Sequence, residues 1–224
     1  MPRRRAPAAA DALSARLARC YTGAVHDVLR QLGEERFVLP PEIKPVAPAM
    51  KLAGPVWTVA GRIDRSRTRD ETLRAWCTLL ARAPAGHAIV CQPNTHEIAL
   101  MGELSAQTLA ARGVLGFVVD GGSRDTELVI EQAFPVFCSL LTPADIVARW
   151  IPERFGEPIT IGEVTIASGD FLLGDRDGVV IIRRALVAEV IARTEEVVAT
   201  ESEMRHALIA GMDPVAAYDK FGKF

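Results

Sequence analysis

Residues 114–119 form an apolar stretch, Val-Leu-Gly-Phe-Val-Val, that contains no charged or polar side chain. A strand of this composition is buried on both faces, as in a parallel sheet covered by helices. Helical patterns at about residues 102–112 and 125–132 flank this stretch on either side. The chain therefore alternates strand, loop and helix, which calls for right-handed parallel crossovers and predicts an α/β fold.

The rest of the sequence supplies further elements. Apolar residues at helical spacing predict two short helices within residues 11–32, with Thr22 as the cap of the second. Short apolar runs separated by Gly-containing turns predict antiparallel hairpins within 157–183, where Asp177-Gly178 is a turn. Residues 185–224 are predicted as a C-terminal helical tail. Other predicted elements are strands at 56–63, 87–91 and 135–138 and a helix at 70–82.

Chain length and charge limit the number of domains and the classes of partner. At about 150 residues per domain, 224 residues favour one domain, placed at 11–224 behind a flexible arm at 1–10. A net charge of -2 argues against a nucleic-acid binder, which would need a basic excess. Apolar runs stop well below the roughly 18 residues that span a bilayer, and the arm has no signal-peptide core. We therefore expect a cytoplasmic protein with no membrane or nucleic-acid partner.

The four cysteines, Cys20, Cys77, Cys91 and Cys138, are far apart in the sequence. They form no CxxC pair, and no histidine lies at metal-finger spacing, which argues against a structural zinc site. Each lies among apolar neighbours. We therefore predict four small, buried thiols in a protein of a reducing compartment.

The residues that carry chemistry lie at two consecutive strand-to-helix junctions, 92–103 and 120–125. Ligands of open α/β sheets bind outside the carboxyl ends of parallel strands, so both junctions are expected to face one crevice. Gly102 lets the backbone approach a ligand closely. In the second junction, Gly121-Gly122-Ser123 predicts a tight turn that places Arg124 as a carboxylate clamp and Asp125 as an oxygen ligand.

An arginine with two carboxylates at adjacent strand ends suits a small oxyacid bound to a divalent cation. Mg²⁺ needs only one or two protein carboxylates, because it keeps several waters and takes further ligands from the substrate. A structural interpretation stays open on these residues alone. Asp125 at a helix start is often only an N-cap, and an Arg-Asp pair is often a surface ion pair.

These residues also carry a resemblance to a known family. Gly102-Glu103-Leu104 and Arg124-Asp125, with twenty residues between Glu103 and Arg124, resemble the signature of the RraA-like superfamily. That superfamily contains the class II 4-hydroxy-4-methyl-2-oxoglutarate (HMG) aldolases. The similarity spans about residues 22–224, and the segments that agree with it are 113–122, 134–137, 142–143, 169–180 and 211–222.

The resemblance implies a single-domain α/β/β swivelling-type fold with a C-terminal helix. It implies self-association as a homotrimer, or as a hexamer of two trimers, with active sites at the subunit interfaces. In the family, a glutamate from the C-terminal helix of the neighbouring subunit completes the site. That glutamate would correspond to Glu201 or Glu203.

The resemblance also implies a role for each residue of the motif. Asp125 would bind Mg²⁺ or Mn²⁺, and Arg124 would contact the substrate carboxyl and keto oxygens. Glu103 would hold a water molecule on the metal and act as the proton shuttle. Gly102 and Leu104 would complete the substrate-binding segment.

The activity implied is a metal-dependent carbon–carbon lyase that cleaves HMG-type 2-oxo acids to pyruvate. Oxaloacetate decarboxylation is a second reaction expected at such a site, since both reactions form the enolate of pyruvate. The sequence departs from the common aldolase pattern at two places. Glu103 stands where many aldolases have Asp, and loop 92–97 lacks the usual glycine-rich segment, which predicts a different pocket wall.

The alternative function is a non-catalytic, RraA-like regulator that binds a ribonuclease. Such regulators tend to lack the acidic residue of the Arg-Asp pair, so Asp125 favours the enzyme. A methyltransferase would need a nucleotide-binding glycine loop, and the sequence has no GxGxxG-like segment.

Three further polar groups are interpreted as structural. His96 could touch a substrate, but a histidine in a polar loop is more often solvated. His26 and Asp27 suit a hydrogen-bonded pair on one helix. Residues 175–178, Asp-Arg-Asp-Gly, predict a hairpin turn, because they lack the length and distal glutamate of a calcium loop.

Overall fold

The computed structural model describes residues 9–222. Its helices are α1 (Ala9–Leu17), α2 (Thr22–Gln31), α3 (Arg69–Arg82), α4 (Glu103–Ala111), α5 (Thr126–Glu131), α6 (Val187–Ile209) and α7 (Pro214–Phe221). Its strands are β1 (Lys44–Pro45), β2 (Leu52–Ile63), β3 (Ala88–Gln92), β4 (Ala99–Met101), β5 (Gly116–Ser123), β6 (Val136–Leu141), β7 (Trp150–Phe155), β8 (Ile159–Ile161), β9 (Val164–Ile166), β10 (Phe171–Asp175) and β11 (Gly178–Ile182). The predicted arm at 1–10 falls outside the described residues, except that residues 9 and 10 begin α1.

Nine of the strands form one mixed sheet in the order β1-β6-β5-β3-β2-β10-β11, with β4 beside β5 and β7 beside β2. Strands β2, β3, β5 and β6 are parallel. Helices α3, α4 and α5 connect the strands of this parallel part along the chain. The predicted α/β class with a C-terminal helix is confirmed.

The two ends of the strand order come together, so the sheet is a nearly closed barrel. Strand β1 lies at one end of the order and β11 at the other. The Lys44 ammonium on β1 donates a hydrogen bond of 2.7 Å to the Asp177 carbonyl beside β11. The backbone N–H of Leu39 donates to the Val179 carbonyl at 3.0 Å, which ties the segment before β1 to β11.

The apolar stretch at 114–119 is buried on both faces, as its composition predicts. Val119 packs against the helices α3 and α4 on the outer face, together with Leu79 and Leu109. Val118 packs inside the barrel against Phe137. Neither valine has any solvent exposure, and burial of such side chains stabilises the fold by roughly 1.5–3 kcal/mol each.

The predicted turn at Gly121-Gly122-Ser123 is wrong, because these residues belong to β5. The pairing of β5 with β6 shifts its register between Val119 and Gly122, as at a β-bulge. A Cβ atom on Gly122 would lie 2.6 Å from the Ile98 carbonyl oxygen. The glycine therefore permits the close approach of a neighbouring segment instead of a chain reversal.

The sequence did not predict β4 or β7. Strand β4 has three residues and follows a polar loop, so it is too short to show an alternation of apolar and polar side chains. Strand β7 pairs with β2, and its first residue, Trp150, donates its indole N–H to the Pro93 carbonyl at 2.9 Å. The predicted cap of α2 is also wrong. Thr22 is the first residue of that helix, and its hydroxyl donates to Asp175 Oδ1 at 2.7 Å.

The predicted hairpins and helical tail are present. Strands β8 and β9 form one antiparallel pair, and β10 and β11 form another around residues 176–177. The tail consists of α6 and α7, and Asp213 caps α7 by accepting the Val215 N–H at 2.9 Å. Within residues 9–222, no helix is long and apolar enough to cross a membrane.

Candidate functional site

The short strand β4 brings the two strand-to-helix junctions into contact. It runs parallel to β5, and the Arg124 N–H donates to the Met101 carbonyl at 2.8 Å. The Ser123 hydroxyl donates to the same carbonyl at 3.3 Å. Because Met101 ends β4, the next residues, Gly102 and Glu103, lie directly beside Arg124 and Asp125.

Asp125 points toward the neighbouring helix instead of capping its own. It is the N-cap residue of α5 but makes no side-chain capping bond, and its backbone is left-handed, with φ 53°. Non-glycine residues rarely adopt this conformation, which holds the carboxylate away from α5. Asp125 Oδ2 accepts the Glu103 N–H at 3.2 Å and lies 3.6 Å from Arg124 Nε.

Gly102 leaves the space that the Asp125 carboxylate occupies. A Cβ atom at position 102 would lie 2.6 Å from Asp125 Oδ2 and 3.2 Å from Arg124 Cγ. The Gly102 backbone is extended, with φ -154°, so its dihedral angle does not require glycine. Glycine is needed here because the side chains of Asp125 and Arg124 occupy the space that a Cβ atom would take.

Glu103 and Asp145 bring two more carboxylates to a cavity that Arg124 and Asp125 line. Glu103 is the first residue of α4, and its Oε1 accepts a hydrogen bond of 3.1 Å from Gln132 Nε2. Asp145 Oδ2 lies 3.7 Å from Arg124 Nη1. The Arg124 guanidinium therefore lies between Asp125 and Asp145, with 40 % of its side chain exposed.

A cavity of about 540 Å³ opens at this cluster. Glu103, Arg124, Asp125 and Asp145 line it, and residues of α3 form an apolar wall. Leu104 and Leu128 stand at the cavity with 73 % and 49 % of their surface exposed. The other lining residues are Leu73, Trp76, Cys77, Leu80, Ala99, Leu100, Met101, Gly102, Ser105, Thr108, Ile146 and Val147.

The donor set suits a lightly coordinated hard cation. No group of three or more His, Cys, Asp or Glu side chains able to hold a metal occurs within residues 9–222. Mg²⁺ does not need such a group, since one or two carboxylates suffice and water or substrate supplies the rest. Asp125 has 41 % of its side chain exposed, and its Oδ1 has no hydrogen-bond partner among the described residues. The residues present therefore fit such an ion, which Asp125 would hold.

A protein-family model described as RraA-like, Aldolase/RraA, matches residues 22–181. The chain belongs to this family. Its fold is similar to that of the Streptomyces coelicolor protein RraAS2, described as an unusual member of the RNase ES inhibitor RraA protein family, with a TM-score of 0.78. The two are 23 % identical, over 90 % of this chain and 99 % of that one.

Curated relatives of this RraA-like chain differ in length. DlpA of Legionella pneumophila is 27 % identical over 197 residues, which cover 87 % of this chain but only 31 % of DlpA. A Halalkalibacterium halodurans protein named "Putative 4-hydroxy-4-methyl-2-oxoglutarate aldolase" is 26 % identical over 176 residues. That match covers 79 % of this chain and 80 % of the relative.

Several residues of this RraA-like chain lie apart from the cavity. His96 Nε2 lies 2.8 Å from Asp120 Oδ1, and 59 % of its side chain is exposed, so this histidine is solvated as expected and also paired. Residues 92–97 do not line the cavity, which corrects the expectation that this loop alters its wall. Glu201 accepts a hydrogen bond from the Tyr21 hydroxyl, and neither it nor Glu203 lines this chain's own cavity.

Sequence reasoning missed Asp145, Gln132 and the wall formed by α3. Asp145 follows a short loop after β6, and no spacing in the sequence links it to Arg124. The α3 wall does leave a pattern in the sequence, since Leu73, Trp76 and Leu80 repeat at helical spacing. That spacing indicates an apolar face, but it does not say whether the face packs or stays open.

The prediction of four buried thiols is wrong for one of them. Cys20, Cys91 and Cys138 are buried, whereas Cys77 is exposed and lines the cavity. Burial raises the pKa of the Cys138 thiol to about 11 and also raises those of Cys20 and Cys91. A raised pKa leaves less of the reactive thiolate at pH 8.

Cys77 should therefore be the one of the four cysteines that reacts rapidly with Ellman's reagent in the folded protein. We expect one fast equivalent at pH 8, and its loss in Cys77→Ser. Denaturant should expose the remaining thiols in both proteins, which serves as the control. A fast equivalent that persists in Cys77→Ser would contradict the burial of the other three.

Proposed function

We propose that this RraA-like chain is a divalent-metal-dependent lyase that cleaves 4-hydroxy-2-oxo acids of the HMG type and releases pyruvate. Oxaloacetate decarboxylation is a second proposed reaction of the same site. The observation that carries the proposal is the convergence of the Arg124 guanidinium and the Asp125 carboxylate over Gly102, at the wall of a ligand-sized cavity. The names of several curated relatives support it.

The chain's own residues supply binding and proton transfer. Arg124 would bind the carboxylate and keto oxygens of the substrate, since a guanidinium presents paired donors to planar oxygen groups. Cleavage breaks the bond between C3 and C4, and the electron pair passes to C3 as an enolate. The 4-hydroxyl loses a proton as the aldehyde or ketone forms, and C3 gains a proton to give pyruvate.

Glu103 is the candidate for moving these protons. Glu103 lines the same cavity as Arg124, and its carboxylate accepts a hydrogen bond from the Gln132 amide. A positioned general acid or base contributes about 10²–10⁴-fold to a rate. When bound at Asp125, Mg²⁺ or Mn²⁺ would act as a Lewis acid on the substrate's keto oxygen and so favour the enolate.

The replacement Asp125→Asn should lower metal-dependent pyruvate release from HMG and from oxaloacetate by about 10²-fold or more, because it removes the negative charge of the side chain that would bind the metal. Pyruvate is measured with a coupled assay, with Mg²⁺ and again with a chelator. Glu127→Gln makes the same charge change on exposed α5 surface and should leave the rate unchanged. Equal rates in Asp125→Asn and the unmodified protein would reject the proposal.

The replacement Gly102→Ala should also reduce pyruvate release by about 10²-fold, since a shift of roughly 1 Å at a reacting group has this effect. The new methyl group would displace the Asp125 carboxylate. Gly23→Ala is the matched control, because a Cβ there meets only the Tyr21 ring at 3.5 Å. Circular dichroism and melting temperature establish that both variants fold, and full activity in Gly102→Ala would contradict the geometry.

The second candidate is a non-catalytic regulator that binds a ribonuclease, which the fold shared with RraAS2 favours. The presence of Asp125 beside Arg124 and Gly102 supports the lyase instead. The chelator assay separates the two functions. A protein that releases no pyruvate from either substrate with Mg²⁺ or Mn²⁺ present would favour the regulator.

We also propose self-association as a homotrimer or hexamer, in which Glu201 or Glu203 of a neighbouring subunit completes the site. Light scattering after size exclusion should give three or six times the chain mass of 24.2 kDa. Dilution to a monomer should then reduce pyruvate release in parallel with the loss of oligomer. A strict monomer with full activity would reject the shared site.

A further inference from the structure

The side chain of Gln132 connects the end of α5 to the start of α4. Gln132 is the C-cap residue of α5, and its Nε2 donates a hydrogen bond of 3.1 Å to Oε1 of Glu103, the first residue of α4. The N-cap of the same short helix is Asp125, whose Oδ2 accepts the Glu103 N–H at 3.2 Å. The two residues that flank α5 therefore both bond to Glu103, one to its backbone and the other to its carboxylate.

The amide of Gln132 makes this bond at a cost. Its other polar atom, Oε1, is buried and accepts no hydrogen bond within residues 9–222. An unpaired acceptor that is kept from water is unfavourable, and such atoms are rare in folded proteins. If the amide were rotated by half a turn, Oε1 would face the Glu103 carboxylate, where two acceptors repel each other. The Glu103 carboxylate thus determines which way the amide points.

This bond restrains the group that the proposed reaction uses for proton transfer. A glutamate side chain has several rotatable bonds, so a free one samples many positions. Proton transfer requires the carboxylate to lie within hydrogen-bond reach of the reacting group. Gln132 holds Oε1, whereas Oε2 has no hydrogen-bond partner among the residues that the structure describes. One oxygen fixes the carboxylate, and the other is available to carry a proton.

We propose that Gln132 is a positioning residue of this site, which acts through Glu103 and does not itself touch the substrate. The inference rests on the proposed function and adds a residue to it. Glu103 lines the cavity, whereas Gln132 does not. An apolar side chain of the same length would fill the position of Gln132 without leaving a buried oxygen unpaired. The amide is therefore explained by its bond to Glu103 and not by packing alone.

The replacement Gln132→Met removes the amide and nearly keeps the length of the side chain. We expect kcat for pyruvate release from HMG with Mg²⁺ to fall by about tenfold, as is typical when a residue that orients a reacting group is lost. KM should change by less than about twofold, because Gln132 does not bind the substrate. The melting temperature should stay equal or rise, because the variant no longer buries an unpaired oxygen.

Gln31→Met is the matched control for this replacement. It makes the same change at the exposed last residue of α2, and it should leave kcat and KM as they are. A kcat for Gln132→Met equal to that of the unmodified protein would overturn the inference.

A double-mutant cycle with Glu103→Gln distinguishes positioning from a structural role. Glu103→Gln removes the carboxylate that carries the proton but leaves an oxygen that Gln132 can still bind. If Gln132 acts through this carboxylate, adding Gln132→Met should lower kcat by less than about twofold in that background. If Gln132 only supports the packing of α5, the losses from the two replacements multiply, and this outcome would reject the inference.

The side-chain amide resonances of Gln132 separate failure of this inference from failure of the lyase. In the full chain with isotope-labelled glutamine, these signals are identified by their loss in Gln132→Met. They should move in Glu103→Ala, and signals that do not move would overturn the inference even in an active enzyme. If they move but the unmodified protein releases no pyruvate from HMG or oxaloacetate, the lyase fails and the assignment of Gln132 as the residue that orients Glu103 stands.

Discussion

The pairing of β4 with β5 is the constraint on which the site depends. Strand β4 is only three residues long, yet the Arg124 N–H and the Ser123 hydroxyl both bond to the carbonyl of its last residue, Met101. That carbonyl fixes where α4 begins relative to the end of β5. Because Gly102 has no side chain, the Asp125 carboxylate can lie against its backbone. The carboxylate in turn accepts a hydrogen bond from the first N–H of α4. Backbone geometry, not side-chain flexibility, sets the distance between the charged groups.

The fold class could be predicted from sequence because its strongest signal is local. The apolar stretch at 114–119 has no polar face, and a strand without one must be covered on both sides. Closure of the barrel could not be predicted in this way. It depends on residues 37–39 and Lys44 meeting β11 and the turn before it, and these segments have no periodicity that points from one to the other. The glycines of β5 were misinterpreted for a related reason, since Gly122 serves a close contact with Ile98 that only the tertiary structure reveals.

The candidate site was predictable where its residues adjoin strand ends, and not where it depends on packing between distant segments. Gly102, Glu103, Arg124 and Asp125 follow predicted strands or begin predicted helices, so the α/β rule places them together. Asp145 enters from a loop beyond β6, and the α3 wall enters from a helix that precedes β3. Burial of Cys77 was predicted from its apolar neighbours, but the open cavity beside α3 leaves it exposed.

The contact between Lys44 and Asp177 also has a consequence for how the chain reaches its native state. It joins positions 133 residues apart, whereas the parallel crossovers join elements that are close in the sequence. The entropy lost in forming a loop grows with its length, so we expect the contacts between the two ends of the sheet to form after the parallel strands have paired. Until then, the edge of β11 is unpaired and open to the corresponding strand of another copy. Residues 37–39 make the backbone contacts to β11, through Phe37, Leu39 and the bridge of Val38 with Val180, so their docking covers this edge and protects the chain from strand exchange.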